Sequence, residues 1–259
     1  FPTGQKWGYV RAEAKPRLMA VNADEGEPGT FKDRHYLETN PHSFLEGMLI
    51  GAWAVEAETV FIYLRDEYPV AREILLKEIA ALEKAGLSSH TKIRLRRGAG
   101  AYICGEETAL LESLEGKKGQ PRFKPPFPAQ VGAFGKPTTV NNTETLASIP
   151  PIIRKGAAWF SEIGVPNSGG TKIFSVSGHV NRPGNYEVPL GIPFTDLLDL
   201  AGGVLDGRKL KAVIPGGSSV PVVPADLMMQ ATMDDPQVTA AEREVYTTLS
   251  VATTVPAEA

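Results

Sequence analysis

Cysteine is nearly absent from this sequence, since Cys104 is the one thiol in 259 residues. A single cysteine excludes an internal disulfide and any four-cysteine iron–sulfur or zinc site within this chain, and it points to a reducing compartment. No run of eighteen apolar residues is present, so the sequence predicts no membrane-spanning helix. The net charge of −3 gives no basic footprint for nucleic acid.

Histidine is also scarce, and the spacing of the four histidines matches no metal-ligand motif. Neither a Ser-His-Asp arrangement nor an H-E-x-x-H motif stands out. The sequence therefore predicts no metal site and no catalytic side chain of a hydrolase. The 42% content of hydrophobic residues is typical of a globular protein of one or two domains.

The first half of the chain alternates between strand and helix patterns. Apolar or alternating runs predict strands, and residues at helical spacing predict the helices between them. The predicted strands are Leu18–Val21, Thr59–Leu64 and Lys92–Arg96. Three helices are predicted: one begins at Pro41, and the other two span Pro69–Ala85 and Glu107–Glu115. The apolar face of the helix that begins at Pro41 consists of Phe44, Leu45, Met48, Leu49, Ala52 and Trp53. This order predicts an α/β fold with a mostly parallel, Rossmann-like sheet, whose ligands bind beyond the carboxyl ends of its strands.

The second half changes character. Val140–Thr145 opens a helix that Pro150 and Pro151 interrupt before it resumes through Phe160, and Asn167–Gly170 reads as a linker. Strands at 172–180, 186–188 and 211–214 surround a short helix with Thr195 as N-cap and Gly202–Gly203 as its stop, a pattern that predicts a small β-grasp domain. The expected organisation is an α/β domain over 1–166, a β-grasp domain over 171–225 and an irregular tail over 226–259.

The most informative segment runs from Gly98 to Leu110, between a strand and a helix. Its glycines permit a tight turn and close backbone approach, and the helix N-terminus that follows attracts negative charge. Two carboxylates, Glu106 and Glu107, stand in the same turn. They repel phosphate but suit hydroxyls, an amide or a positively charged ring, so we expect a nucleotide-like ligand held by more than its phosphates.

Taken one at a time, these motifs have simpler interpretations. The acidic residues Asp24, Glu25 and Glu27 are consistent with a solvated loop, because charged side chains are mostly exposed. The Gly98 loop lacks both the G-x-G-x-x-G and the P-loop patterns. Phe127 is consistent with a packing residue between prolines, Asn141–Asn142 with a helix cap, and Cys104 with a small buried side chain.

Five ordered segments together nevertheless resemble one family, the flavin-bearing, NADH-oxidising subunit of bacterial complex I (the F-type subunit of NADH-quinone oxidoreductase). The diaphorase subunits of NAD-reducing hydrogenases and NAD-dependent formate dehydrogenases are similar too. The resemblance covers roughly residues 1–225, and from Lys172 onward it is to the soluble-ligand-binding (SLBB) β-grasp domain of that family. The matching segments are Phe1–Trp7, Asn22–Arg34, Gly98–Leu110, Pro125–Ala129 and Val140–Thr145.

The resemblance implies hydride transfer from NADH to FMN, followed by one-electron delivery to an iron–sulfur chain that leads to quinone. The flavin carries the chemistry, so no catalytic side chain is expected. The residues implied as FMN contacts are Lys6, Asn22, Asp24, Tyr102, Gly105, Glu106, Asn141 and Asn142. Those implied for NADH are Phe1, Tyr9, Glu27, Glu107, Lys124 and Phe127.

Two departures from the family pattern lead to further expectations. The family has a glycine-rich loop before Phe1 and a [4Fe–4S] domain with four cysteines after the β-grasp domain, so the chain is interpreted as part of a longer subunit. After about Met233 it no longer follows the family pattern. Expected partners are the other subunits of a respiratory, hydrogenase or formate dehydrogenase complex, including an iron–sulfur subunit, with no nucleic acid. The expected location is the cytoplasm, peripheral on the inner face of the membrane for a complex I subunit. A non-catalytic scaffold is the alternative from another class.

Overall fold

The computed structural model describes residues 2–166, 168–217, 220–234 and 248–253. The chain divides into two compact units. The first contains residues Phe1–Gly26 and Asp33–Ile153, and the second contains Glu27–Lys32 and Arg154–Ala259. The short segment 27–32 therefore belongs with the second half of the chain.

Up to Lys155 the chain alternates between strands and helices, as expected. The strands are β1 (Arg17–Ala23), β2 (Ala57–Leu64), β3 (Lys92–Arg97) and β4 (Thr138–Asn142). The helices are α1 (Thr3–Ala12), α2 (Lys32–Thr39), α3 (Pro41–Val55), α4 (Pro69–Lys84), α5 (Glu107–Leu114), α6 (Thr143–Ala147) and α7 (Ile149–Lys155). All strand pairs in the sheet are parallel, in the order β3-β2-β1-β4. The predicted α/β class is confirmed.

Strand β1 is buried on both faces of this sheet. Met19 and Val21 face one hydrophobic core, and Leu18 and Ala20 face another. This alternation follows from the period of two along a strand, and burial on both faces explains the continuous apolar run in the sequence.

The helices form where the sequence predicts starts and stops. The side chain of Asn40 accepts a hydrogen bond from the Ser43 amide at 3.3 Å and caps α3, with Pro41 in its first turn. Helix α4 buries Ala71, Leu75 and Ile79 against the core. Trp53, which the helical spacing assigned to the apolar face of α3, is 71% exposed and lies outside that face.

The second half forms a mixed sheet in the order β10-β9-β11-β7-β8 beside a separate two-stranded hairpin. Its elements are α8 (Ala157–Ser161), β5 (Gly164–Val165), β6 (Ser168–Gly169), β7 (Thr171–Gly178), β8 (Gly184–Pro189), α9 (Phe194–Leu200), β9 (Leu210–Ile214), β10 (Val223–Pro224), α10 (Ala225–Met228) and β11 (Thr248–Thr253). Phe174, Phe194 and Leu197 lie in its core. Among the described residues, no helix is long and apolar enough to cross a bilayer.

Residues 138–160 differ from the sequence prediction. Val140–Asn142 ends strand β4 rather than opening a helix, because the β-branched residues before Asn141 are buried against β1. The helix begins at Thr143. The expected interruption lies at Ser148, before the prolines, and Pro150 and Pro151 stand in the first turn of α7, where a proline has no amide hydrogen bond to lose. Helix α7 ends at Lys155 and does not continue through Phe160.

Three further expectations are corrected. In the segment expected as a linker, Ser168 and Gly169 pair with β5 as strand β6, and Asn167 lies outside the described residues. Thr195 is not the N-cap of α9, which starts at Phe194 after Pro193. The segment 226–259 is not wholly irregular, since β11 pairs with both β7 and β9. Helices α1 and α2 were not predicted.

Candidate functional site

The order of the parallel sheet places a crevice between β1 and β4. The chain runs outward from β1 through β2 to β3 and then crosses back to β4 on the other side of β1. Ligands of open α/β sheets bind at such a reversal, beyond the carboxyl ends of the strands. At this edge Asn22 of β1 is the register partner of Asn142 of β4.

The three expected binding segments converge at this crevice. The Asn22 side chain donates to the Gly105 carbonyl at 2.8 Å, and its oxygen accepts from the Asp24 amide at 3.1 Å. Asn141 and Asn142 stand on the neighbouring strand. Residues 22–26, 98–107 and 141–142, distant in sequence, thus meet at the same end of the sheet.

Asp24 lies at the centre of this convergence. Its side chain is buried, and its Oδ2 has no hydrogen-bond partner among the residues that the structure describes. Burial raises the pKa of Asp24 to about 6, with Arg65 opposing the shift and Glu67 adding to it. A buried acceptor without a partner is costly, so this oxygen is suited to a donor from a ligand.

Two glycines pack closely around Asp24. A Cβ at Gly98 would lie 3.1 Å from the Leu64 carbonyl oxygen and 3.4 Å from Asp24 Oδ1, and a Cβ at Gly105 would lie 3.4 Å from the Asp24 carbonyl oxygen. These glycines let the loop fold over the end of β1. Tyr102 in the same loop is 56% exposed and lies beside Gly26.

Glu25 is buried, so the interpretation of Asp24 and Glu25 as a solvated loop is wrong. Its carboxylate accepts from the Asp33 amide at 2.9 Å, the Arg34 amide at 3.1 Å and the Tyr68 hydroxyl at 2.9 Å. The first two donors are amides in the first turn of α2, which lack partners within the helix and which a carboxylate caps well. Sequence reasoning gave Glu25 no role, because its donors lie up to 43 residues away.

Glu106 is the N-cap of α5. Its Oε2 accepts from the amides of Thr108 and Ala109 at 2.8 and 3.0 Å and from the Thr108 hydroxyl. Its Oε1 accepts from Lys124 at 3.1 Å. Burial acts to raise the pKa of Glu106, but these donors outweigh it and hold the pKa below its ordinary value.

Glu107 stands in the first turn of α5 and contacts two lysines. Its Oε1 accepts from Lys124 at 2.8 Å and its Oε2 from Lys6 at 3.3 Å. Burial again acts to raise the pKa, and the two lysines together lower it. Glu107 is therefore ionised at neutral pH.

A cavity of about 610 Å³ opens beside these carboxylates. Lys6, Tyr9, Glu107 and Phe127 line it, four of the residues implied for FMN or NADH, and its volume is within the usual range of small-molecule sites. Phe127 is 53% exposed, so it is not a packing residue. The remaining lining residues are Ala12, Glu13, Pro128, Ala129, Gln130 and Thr138.

Among the residues implied for NADH, Lys124 bonds Glu107 but does not line this cavity, and Phe1 and Glu27 are left out of its description. Phe1 lies outside the described residues. Glu27 belongs to the second unit, where a Cβ at Gly217 would lie 2.0 Å from its carboxyl carbon. The cavity is therefore described without them.

The two asparagines of β4 are already engaged by protein groups. Asn141 Oδ1 accepts from the Trp7 indole at 3.0 Å. Asn142 Oδ1 caps α6 by accepting from the Glu144 amide at 2.9 Å, and its amide nitrogen donates to Asp33 at 2.7 Å. The cap interpretation is right for Asn142. Trp7, which orients Asn141, was missed because no local pattern predicts a contact across 134 residues.

A second cavity of about 680 Å³ lies near the amino ends of β1 and β2. Arg11, Lys15 and Arg17 surround the Glu56 carboxylate there. None of the implied ligand contacts lines it. It lies at the edge where α/β sheets do not bind ligands, so we assign the site to the β1–β4 crevice.

Two family models match this chain. Residues 1–151 match the family described as the Nuo51 FMN-binding domain, and residues 173–223 match the SLBB domain. The chain is 50% identical over 251 residues to the second of the F-type subunits of NADH-quinone oxidoreductase in Rhizobium meliloti (strain 1021), covering 93% of this chain and 59% of that relative. It is 51% identical over 245 residues to the F-type subunit of the same enzyme in Rickettsia bellii (strain OSU 85-389), covering 90% and 59%.

Among solved structures, the chain is similar to a chain of the NAD⁺-reducing [NiFe]-hydrogenase in the air-oxidized state. The TM-score is 0.86 at 41% identity, over 98% of this chain and 43% of that chain. This chain thus spans about three fifths of the length of the two relatives above and less than half of the hydrogenase chain.

Proposed function

This chain belongs to the Nuo51 FMN-binding family, and on that basis we propose that it is the NADH-oxidising module of a larger NADH dehydrogenase, in which hydride passes from NADH to FMN. Bound FMN would supply a hydride acceptor that releases electrons singly to an iron–sulfur chain leading to quinone. The residues of this chain bind and orient the two nucleotides.

The observation that carries this proposal is the unsatisfied Oδ2 of Asp24, buried at the sheet reversal. A flavin offers N–H and hydroxyl donors for such an acceptor. By the family resemblance, Lys6 supplies a positive charge beside the ring or the ribityl chain. The residues proposed to hold FMN are Lys6, Asn22, Asp24, Tyr102, Gly105, Glu106, Asn141 and Asn142.

The adjoining cavity supports a site for the dinucleotide. Tyr9 and Phe127 supply partly exposed rings for stacking with adenine. The ionised Glu107 can accept hydrogen bonds from ribose hydroxyls, and Lys124 and Lys6 balance its charge. We retain Phe1 and Glu27 as proposed NADH contacts on the family resemblance alone.

The likeness to the hydrogenase chain favours a second candidate, the diaphorase subunit of an NAD-reducing hydrogenase or a formate dehydrogenase. The chemistry of the site is the same in both candidates, and they differ in the partner that receives the electrons. The names of the relatives support membership of a multi-subunit complex, and we propose an iron–sulfur subunit as the direct partner. We propose a cytoplasmic location, peripheral at the inner face of the membrane for a complex I subunit. The genes adjacent to this one separate the candidates.

The test is an absorbance spectrum of the purified chain, with FMN added where the protein is colourless. We expect flavin bands that bleach anaerobically on addition of NADH. Asp24→Ala should lose the flavin, and Asp66→Ala should keep it, because Asp66 is exposed and bonds Arg97, which is not one of the residues proposed to hold FMN. A chain that stays colourless with added FMN contradicts the proposal and favours a scaffold.

A further inference from the structure

The long connection from α5 to β4, residues 115–137, forms one wall of the proposed dinucleotide cavity. It carries Phe127 and Lys124, and apart from one short helical turn at Ala133–Gly135 it has no regular structure. Among the described residues, the backbone-to-backbone hydrogen bonds of residues 118–137 run within the connection or to β1 and β4, and none reaches α5. Side-chain contacts therefore fix its distance from α5.

The side chain of Arg122 ties the connection to α5. Its Nε donates to Glu112 Oε1 at 2.5 Å and its Nη2 donates to Glu115 Oε1 at 2.7 Å. Both carboxylates stand at the carboxyl end of α5, and the side chain of Glu115 is only 8% exposed. The planar guanidinium matches this fork of oxygens in a way that an ammonium cannot.

The same arginine also binds the far end of the connection. Its Nη1 donates to the Gly132 carbonyl at 3.0 Å, and Glu115 Oε1 accepts from the Phe134 amide at 2.7 Å. The two halves of the connection are therefore tied to each other and to α5 through one side chain. The residues between them, including Lys124 and Phe127, form a loop closed at both ends.

A second chain of hydrogen bonds leads from Arg122 to the amino end of α5. The Arg122 amide donates to Thr108 Oγ1 at 2.8 Å, and the Thr108 hydroxyl donates to Glu106 Oε2. Two residues further on, Lys124 reaches the other oxygen of Glu106 and Oε1 of Glu107. Arg122 thus links the cavity wall to both carboxylates at the start of α5.

We propose that Arg122 is a positioning residue that sets the width of the dinucleotide cavity, holding the wall with Lys124 and Phe127 at a fixed distance from Glu107. The inference rests on the proposed function. Arg122 does not line the cavity and touches no ligand in this scheme. Its loss should weaken the binding of NADH through the adenosine half and leave the flavin bound and reducible.

The experiment uses the FMN-loaded protein and measures dissociation constants for NADH and for reduced nicotinamide mononucleotide, which lacks adenosine. Arg122→Lys keeps the charge and loses the fork. We expect NADH to bind about tenfold more weakly to this variant, because misplacement of a positioning group by ~1 Å has large effects. The mononucleotide should bind within about twofold of wild type, and the rate of flavin reduction at saturating NADH should not change.

Lys117→Met is the matched control. Lys117 binds the other oxygens of the same two glutamates, Glu115 Oε2 at 2.7 Å and Glu112 Oε2 at 3.8 Å, but reaches no other part of the connection among the described residues. It should bind NADH as wild type does. Glu115→Gln is a second, milder variant that should shift NADH affinity in the same direction as Arg122→Lys.

Unchanged NADH affinity in Arg122→Lys and Glu115→Gln, with wild type binding NADH normally, overturns this inference alone. Equal losses for NADH and the mononucleotide, accompanied by loss of FMN, also overturn it, because they indicate a general structural role. A wild-type protein that takes up FMN and still binds no NADH overturns the proposed function together with this inference.

Discussion

Glu107→Gln tests the proposed nucleotide site most directly. The substitution removes one negative charge from a cluster in which Glu106 and Glu107 face Lys6 and Lys124. A charge-assisted hydrogen bond contributes about 1.5–3 kcal/mol, and the amide that replaces the carboxylate accepts hydrogen bonds from ribose hydroxyls less well. This loss alone would weaken NADH binding by tens-fold, since about 1.4 kcal/mol is a factor of ten.

A second effect opposes the first. When the Glu107 carboxylate is replaced by an amide, the net charge of the cluster rises by one, and the two lysines attract the pyrophosphate of NADH more strongly. Their side chains are 31% and 33% exposed, so water screens this attraction to about 0.7 kcal/mol at a separation of roughly 6 Å. The hydrogen-bond loss prevails, and the net expectation is NADH affinity about 4- to 50-fold weaker, with FMN retained.

The assay is titration of the FMN-loaded protein with NADH at low and high salt. Because salt removes the lysine attraction, the deficit of Glu107→Gln relative to wild type should grow with ionic strength. Glu73→Gln, on an exposed position of α4, is the matched control and should bind as wild type does. Equal NADH affinity in wild type and Glu107→Gln, with flavin intact in both, would refute the assignment.

Asp24, Glu25 and the single cysteine allow three further predictions. The pKa of Asp24 is raised from 3.8 to about 6, so the protonated carboxyl stabilises the fold below pH 4 and this stabilisation is lost as the pH rises through 6. The flavin-free Asp24→Asn variant, which cannot ionise, should therefore have a higher Tm than wild type at pH 8, by about 2–4 °C for roughly 1 kcal/mol after discounting for solvent screening. Equal Tm values in thermal melts of the two proteins would contradict this. Tyr68→Phe removes one donor to Glu25 and should lower the free energy of unfolding by about 1–2 kcal/mol in urea titrations, with no change in the urea m-value. The isolated chain, with Cys104 as its one thiol, should show flavin reduction by NADH without a cluster signal in low-temperature paramagnetic resonance, and a stoichiometric [4Fe–4S] signal would overturn that expectation.

The sequence pattern predicted the parallel sheet well, because its signals are local. β1, β2 and β3 are apolar or alternating runs, and α4 has its stop at Gly86 within one turn of its end. Strand β4 was missed because Asn141–Asn142 has the composition of a helix start, and burial against β1 decided the outcome. Strand β11 was missed because its pairing with β7 joins residues more than seventy positions apart.

The candidate site was predicted less completely, for a physical reason. Residue types such as carboxylates and asparagines point to binding, but they do not reveal whether their oxygens are already occupied. Glu106 and Asn142 each use one oxygen to cap a helix, and Glu25 binds α2 and Tyr68. Among the proposed FMN and NADH contacts that the structure describes, Asp24 is the one with a buried oxygen that lacks a partner, and that distinction depends on contacts across the fold.

The two walls of the site differ in how many hydrogen bonds hold them to the rest of the fold. One wall is the end of β1, a strand with hydrogen-bonded neighbours on both sides, whose amides exchange with solvent only when much of the unit opens. The other wall is an irregular connection fastened to α5 mainly by side chains such as Arg122 and Lys124, and a segment without strand pairing opens at a smaller free-energy cost. A prosthetic group that stays for the life of the protein and a substrate that leaves after every turnover need opposite residence times. The proposed FMN contacts Asn22 and Asp24 stand at the end of the strand that is paired on both sides, and the proposed NADH contacts Lys124 and Phe127 stand on the irregular connection, an arrangement that fits these two residence times.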